Sequence, residues 1–334
     1  MRIELIKHIY FRLPIILRLL ITVFLLMILF GTVIHYIEPE EFPTIFEGVW
    51  WAFVTGATVG YGDYVPLTVT GQVIGILLIL SGGGLITFYI TTVSSETIKH
   101  ESNLSKGKVT YKGNNHIIIV GWNERTSQLV DMIMSKDKLT EIVLIDNSLQ
   151  HLPYQKIPVH FIYGDPTEDE TLLKANVDAA KSVLITADTS KKEKRADHYT
   201  ILTTVAIRGN NNEVPLIAEV LSDKQMDNAV RAGATSIVRP NNLLSSLLYH
   251  ELIFARTNNP IELVSKLLEN QQFIQRTLPS DLENKSYLNG VIYFLEGHQL
   301  LLGVKRNDAW NLNPSPDFLL KSGDAVVTMS AWDK

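Results

Sequence analysis

Between Arg18 and Lys99 the chain carries no lysine and no arginine. Two long apolar runs, residues 14–37 and 71–95, occupy that interval and its near margin. As helices rising about 1.5 Å per residue, each is long enough to cross ~30 Å of hydrocarbon. Arg18 lies near the start of the first run, within snorkelling reach of the headgroups. That run is too long for the core of a cleavable signal, and no small-residue cleavage site follows it. Arg2, Lys7 and Arg12 precede the first run, Arg18 lies near its start, and Lys99, Lys106, Lys108 and Lys112 follow the second. By the positive-inside rule both termini are expected in the cytoplasm, on a multi-pass protein of the cell membrane. The remaining two thirds read as ordinary globular sequence, so more than one domain is expected. The formal net charge of −5 argues against a nucleic-acid partner. The absence of cysteine excludes disulfides and cysteine-bound zinc or iron–sulfur sites.

Between the apolar runs stands Thr58-Val59-Gly60-Tyr61-Gly62, followed by Asp63. Glycine at alternate positions gives the backbone access to left-handed conformations that other residues resist. Such a ribbon can turn successive carbonyl oxygens to one side, where rings of them replace the water that a potassium ion sheds. Thr58 would add its hydroxyl to the innermost ring, while Val59 and Tyr61 would wedge the ribbon from behind. With Thr55, Gly56 and Ala57 ahead of it, this run resembles the signature of potassium channels. The resemblance implies a filter of Thr58, Val59, Gly60, Tyr61 and Gly62 holding potassium ions.

Residues 43–56 read as a short re-entrant helix with Pro43 in its first turn. It is too short to span, and its carbonyl end would face the cation site. Trp50 and Trp51 lie on it as interface aromatics or as supports for the ribbon. The resemblance implies that Trp51 hydrogen-bonds Asp63. Some relatives place a buried glutamate behind the filter; the matching residue is Val54. Glu38, Glu40, Glu41 and Glu47 form either an acidic outer vestibule that concentrates cations or a solvated loop. The second run contains Gly82-Gly83-Gly84, a weak point in a helix. It reads as a gating hinge, with Gly82 matching the family's hinge glycine, or as close helix packing through small residues. Thr87, Thr91, Thr92, Ser94 and Ser95 below it would line an inner cavity or bond back to their own helix. With two spans and no ladder of arginines there is no voltage sensor. Four chains are then needed around one pore, so the expected assembly is a homotetramer in the lipid bilayer.

Residues 100–115 read as a polar tether, with residues 1–98 as the pore domain and 99–115 as the linker. No methionine stands between Met27 and Met132, where some relatives start free copies of the cytosolic domain. Beyond the linker, strands are expected at 116–120, 141–146, 159–163, 182–186, 216–220 and 235–238. Helical segments separate nearly all of them, which predicts a doubly wound parallel sheet. Ile117 to Gly121 with Trp122 and Asn123, then Gly164-Asp165-Pro166-Thr167, then Arg231 to Thr235, carry a second resemblance. They are similar to the cytosolic domains that regulate potassium conductance (the TrkA-N family). Residues 241–256 look like the crossover helix through which such domains pair into a ring. The expected Rossmann-like domain runs over 116–258. A small α+β lobe follows over 259–334, with a helix at 263–268 and strands at 291–295, 300–305 and 325–330. It resembles the family's carboxyl-terminal lobe (TrkA-C), which can take a second ligand.

The dinucleotide fingerprint asks for three glycines, and here those positions read Gly121, Asn123 and Thr126. Asp146 ends the second strand, where an acid would hold ribose hydroxyls. Gly121, Asn123, Asp146 and Asp165 are therefore the candidate residues for an adenine nucleotide; a scaffold that binds none is the alternative. Calcium needs several oxygen ligands. The positions that bind it in the archaeal calcium-gated two-span channels read Thr186, Glu219 and Leu221, so calcium is disfavoured there. Asp165, Asp188 and Glu219 form another acidic set, and Lys191, Lys192, Lys194 and Arg195 a basic one that meets an anion or stays solvated. The combined reading is a potassium-selective channel, not an enzyme, gated by a cytosolic ring that senses a ligand not named by the sequence. A membrane-anchored dinucleotide-binding regulatory subunit or oxidoreductase is the alternative.

Overall fold

The computed structural model describes residues 10, 12–152, 159–254 and 260–332. It divides into two compact units, residues 1–239 and 240–334.

The first unit begins with α1 (Ile15–Ile37), α2 (Ile45–Gly56) and α3 (Val69–Ser105). Only α1 and α3, among the described residues, are long and apolar enough to cross a membrane. They confirm the two expected spans. The short α2 starts later than expected, because Thr44, not Pro43, forms its boundary. The Thr44 hydroxyl accepts from the Glu47 amide, and the Glu47 carboxylate accepts from the Thr44 amide at 2.8 Å. This reciprocal capping box satisfies two of the orphan donors at the helix start. Helices α1 and α2 meet at glycine: a Cβ on Gly48 would lie 2.2 Å from the Gly31 carbonyl oxygen. Met27, Ile34, Phe42, Trp51, Ala52 and Leu78 fill the core between the three helices.

Glu38, just past α1, is buried, and it accepts from the Leu67 and Thr68 amides at 2.9 Å each and from the Thr68 hydroxyl at 2.5 Å. Thr68 in turn caps α3. Of the four outer acids, Glu38 and Glu47 thus serve structure, which leaves Glu40 and Glu41 exposed. Helix α3 is ten residues longer at its carboxyl end than the run 71–95 and takes in the start of the expected tether. A π turn over Ile79–Gly83 interrupts it without breaking it.

The helix stops at Gly107, whose φ is +64°. The Gly107 amide bonds the Leu104 carbonyl and the Lys108 amide that of Asn103, closing the last turn. The rest of the tether is a strap laid on the cytosolic sheet. Gly107 accepts from the Tyr163 amide at 3.0 Å, His160 bonds the Val109 carbonyl at 2.7 Å, and Tyr111 donates to Lys174 at 2.9 Å.

That sheet contains β1 (Ile117–Val120), β2 (Ile142–Asp146), β3 (His160–Tyr163), β4 (Ser182–Ile185), β5 (Leu216–Glu219) and β6 (Ser236–Val238). All pairings are parallel, in the order β3-β2-β1-β4-β5-β6. The connecting helices are α4 (Glu124–Lys136), α5 (Asp169–Lys174), α6 (Glu193–Asn210) and α7 (Met226–Arg231). Ile118, Val143, Val183 and Leu216 pack on one face, and Ile119, Leu144 and Phe161 on the other. Burial on both faces explains why the strands read as unbroken apolar runs.

The second unit holds α8 (Pro240–Phe254), α9 (Pro260–Asn270) and a four-stranded antiparallel sheet ordered β7-β10-β8-β9. Its strands are β7 (Gln271–Thr277), β8 (Leu300–Arg306), β9 (Ala309–Leu312) and β10 (Ala325–Ala331), with α10 (Tyr287–Glu296) between β7 and β8. Residues 291–295 are therefore helix, not strand. Ser286 caps that helix, and Tyr287, Gly290 and Phe294 share its buried face at helical spacing. The unit boundary places α8, the helix expected to pair, with the carboxyl part; residues 255–259, where the sequence put the domain boundary, lie outside the described residues.

Candidate functional site

The ribbon at the end of α2 alternates in hand. Thr58, Gly60 and Gly62 have φ of +62°, +63° and +75°, while Val59 and Tyr61 stay on the negative side. Alternation of this kind turns successive peptides the same way, gathering N–H groups on one side and carbonyls on the other. The amides of Val59 and Gly60 both reach the Val54 carbonyl, at 3.0 and 3.2 Å, so the N–H side lies against α2. No atom stands within 4 Å of where a Cβ on Gly60 or Gly62 would lie; backbone conformation alone demands glycine there.

Asp63 accepts from the Trp50 indole at 2.7 Å. The partner is Trp50, which corrects the assignment to Trp51. Adjacent residues of a helix differ by about 100° in direction. Trp50 faces the ribbon, with its ring stacked on Tyr61 at 6.2 Å, and Trp51 turns inward, edge-on to Phe42 at 5.4 Å. The next residue, Tyr64, donates to Glu47 at 3.2 Å. Tyr64 was not singled out from sequence, and nothing in its spacing marks it.

In α3 the three glycines differ. A Cβ on Gly82 would lie 2.9 Å from the Met27 methyl and one on Gly83 3.9 Å from the Gly56 carbonyl, whereas Gly84 faces open space. Gly82 therefore packs against α1, and the π turn ends at Gly83. Thr91 and Thr92 donate back to the Phe88 carbonyl at 3.0 and 2.7 Å.

A cavity of about 300 Å³ opens at the carboxyl ends of β1, β2 and β4, lined among others by Gly121, Asn123, Asp146, Ser148, Lys191 and Tyr199. This is the crevice where open parallel sheets bind ligands. Gly121 is needed because a Cβ there would lie 2.5 Å from the Thr186 hydroxyl. Asn123 caps α4, accepting from the Thr126 amide at 3.1 Å while the Thr126 hydroxyl takes the Asn123 amide at 2.7 Å. These two residues thus serve the helix start itself. Asp146 binds the Ser148 amide, the Ser148 hydroxyl and the Leu149 amide through one oxygen, and the Trp122 amide through the other. Asp165 stands one layer behind, accepting from Thr167 and from the Tyr199 hydroxyl at 3.1 Å. Burial opposes its charge, yet those bonds and nearby Lys191 hold its carboxyl below the ordinary range.

The other acids are separately engaged. Glu219 pairs with the Arg125 guanidinium and accepts from the Ala187 amide at 2.7 Å. Asp188 binds Lys191 at 3.0 Å. Among the described residues no three His, Asp or Glu side chains come together as a metal site, so Asp165, Asp188 and Glu219 do not converge.

Comparison with known proteins agrees with both halves of the chain. The ion-channel family matches residues 22–99 and the TrkA-N domain family residues 117–240. The putative potassium channel protein YugO of Bacillus subtilis is 39% identical over 96% of this chain and 97% of its own length. The calcium-gated potassium channel TvoK of Thermoplasma volcanium is 30% identical over 67% of this chain and 66% of its own. Among solved structures, the GsuK channel bound to NAD superposes with a TM-score of 0.52 at 15% identity, a likeness of fold. It covers 94% of this chain, which spans only 57% of that one. One relative aligned over nearly the whole of both chains, two family matches in the same order and a hand-alternating ribbon between two apolar helices lead to one conclusion. The chain belongs to the potassium channels that join a two-span membrane pore to a cytosolic TrkA-N domain.

Proposed function

We propose that four copies of this chain form one potassium-selective pore, opened and closed by their cytosolic domains in response to an adenine nucleotide. The alternating hand of residues 58–62 carries the reading. With N–H groups against α2, the carbonyls of Thr58, Val59, Gly60, Tyr61 and Gly62 face away from the helix, where four chains would close them into rings. Val59, Tyr61, Val73, Ile76 and Leu80 are exposed in the single chain, as surfaces awaiting neighbours would be. Both termini lie on the cytoplasmic side. The gate lies at the π turn and Gly82, Gly83 and Gly84, where the helix is easiest to bend. Purified protein in vesicles is expected to pass potassium, to exclude sodium and to be blocked by barium. Equal sodium and potassium flux would overturn the reading.

Asp146 supplies the nucleotide reading. The oxygen that binds Trp122 keeps a free lone pair, suited to a ribose hydroxyl. Because Asn123 and Thr126 occupy the α4 start, a dinucleotide pyrophosphate fits less well than a mononucleotide. The ligand must favour one shape of the domain over the other, and a few kcal/mol of difference is enough. Asp146→Asn is the appropriate variant, since it keeps an acceptor for the turn at Ser148. The shift in melting temperature that adenine nucleotides cause in the wild type is expected to fall at least several-fold in this variant. An unchanged shift would place the ligand elsewhere.

A further inference from the structure

The outer end of the ribbon is attached to α2 at two places. Asp63 takes the Trp50 indole at 2.7 Å, and Tyr64 gives its hydroxyl to Glu47 at 3.2 Å. The two anchors on α2 are three residues apart, one helical turn, and the two anchored residues are consecutive. One hydrogen bond leaves a chain free to pivot about it. Two bonds to successive turns of a rigid helix fix its direction as well as its position.

The second attachment is braced at both ends. The other Glu47 oxygen accepts from the Thr44 amide and hydroxyl, at 2.8 and 3.1 Å, so the carboxylate is held on the helix it caps. The Tyr64 ring lies 6.1 Å from Phe42, which is fully buried. Partial burial, with Glu47 beside it, holds the Tyr64 phenol above its ordinary value, so it remains a donor. Behind the ribbon stands Val54, which offers no side-chain hydrogen bond.

We infer that Tyr64 and Glu47 are positioning residues for potassium conduction: together they form the second strut that keeps the outer mouth of the filter in its conducting shape. The inference rests on the pore reading above. Ions in the filter support its shape from inside, so losing the strut matters most when external potassium is scarce.

The test is potassium flux through the full-length channel in vesicles, followed over time at low and at high external potassium. Tyr64→Phe removes one hydroxyl and keeps the ring on Phe42. Its flux is expected to decay several-fold faster than wild type at low potassium and to return toward wild type at high potassium. Glu47→Leu is expected to behave likewise, while Glu47→Gln, which keeps an acceptor, recovers most of the difference. Decay at the wild-type rate in Tyr64→Phe overturns the inference. So does a defect that high potassium does not relieve, or one as large in Glu47→Gln as in Glu47→Leu. A wild type that passes no potassium would instead remove the pore reading, so the two failures are distinguishable.

Discussion

Gly31 and Gly48 show what single residues decide in this molecule. A Cβ on Gly31 would sit 2.4 Å from the backbone of Val49, and backbone has no rotamer with which to yield. Gly48→Ala is expected to force α1 and α2 apart and to cost about 1–3 kcal/mol or more, as overpacking does. Dissociation of the assembled channel on heating would measure it; an unchanged midpoint would refute the close approach. Residues of this kind were only partly legible in sequence. Gly60 and Gly62 were, because alternate glycines beside Tyr61 have few other uses. Trp50 was not separable from Trp51, because their roles depend on the helical phase. That phase is set by the Thr44 cap, two residues later than Pro43 suggested. Glu38 and Glu47 read only as outer acids and Tyr64 not at all, since Glu38 meets Leu67 and Thr68, and Tyr64 meets Glu47, across long loops.

At the scale of elements, the central parallel strands were readable because burial on both faces leaves each an apolar run; the edge strand β6, largely exposed, was read from the alternation around it. In the carboxyl unit the helix at 263–268 and the strands at 300–305 and 325–330 were readable too, but β7 and α10 were not. The edge strand β7 is polar, Gln271–Thr277, and α10 is rich in aromatic and branched residues that favour strands when no cap is noticed. The strap shows a further element built from weak signals. Tyr111 lies against His116 and His160, with ring centroids at 4.5 and 5.2 Å, and donates to Glu141 at 2.5 Å. His116 is fully buried, bonding the Ala175 carbonyl through Nε2 while Nδ1 has no partner. Burial holds its imidazole below the ordinary value, against weaker pulls upward from Ala175 and Glu141. The unfolded state, with a value near ~6.5, then takes a proton that the folded state resists. This contribution to stability is complete above ~6.5 and is lost as pH falls from there toward the lower folded value. Melting temperatures of the wild type between pH 5 and 8 are expected to fall on the acid side more steeply than those of His116→Gln. Parallel slopes would show that another group titrates.

For the whole first unit, the consequence lies in how pore and sensor are joined. The Ser105 carbonyl, at the end of α3, accepts the Leu152 amide at 2.8 Å. Leu152 follows Asp146 of the cavity by six residues, so one stretch of chain touches both the candidate ligand site and the inner helix. A Cβ on Gly107 would lie 2.2 Å from the Tyr163 amide, and the positive φ already disfavours any side chain. Gly107→Val is expected to leave nucleotide binding intact in thermal shift while the nucleotide loses its effect on flux. A variant still regulated as the wild type would mean that the signal travels by another route.

Because α3 runs as one helix up to the point where that strap begins, it carries angle as well as pull. Each residue inserted ahead of Gly107 would rotate the sensor about the helix axis by about 100° and advance it by about 1.5 Å. Regulation should therefore vanish and return with the period of the screw. Inserting one or two residues after Lys99 would put the sensor out of phase, and three or four would bring it nearly back. A flexible tether would show no such rhythm, only a gradual loss with length.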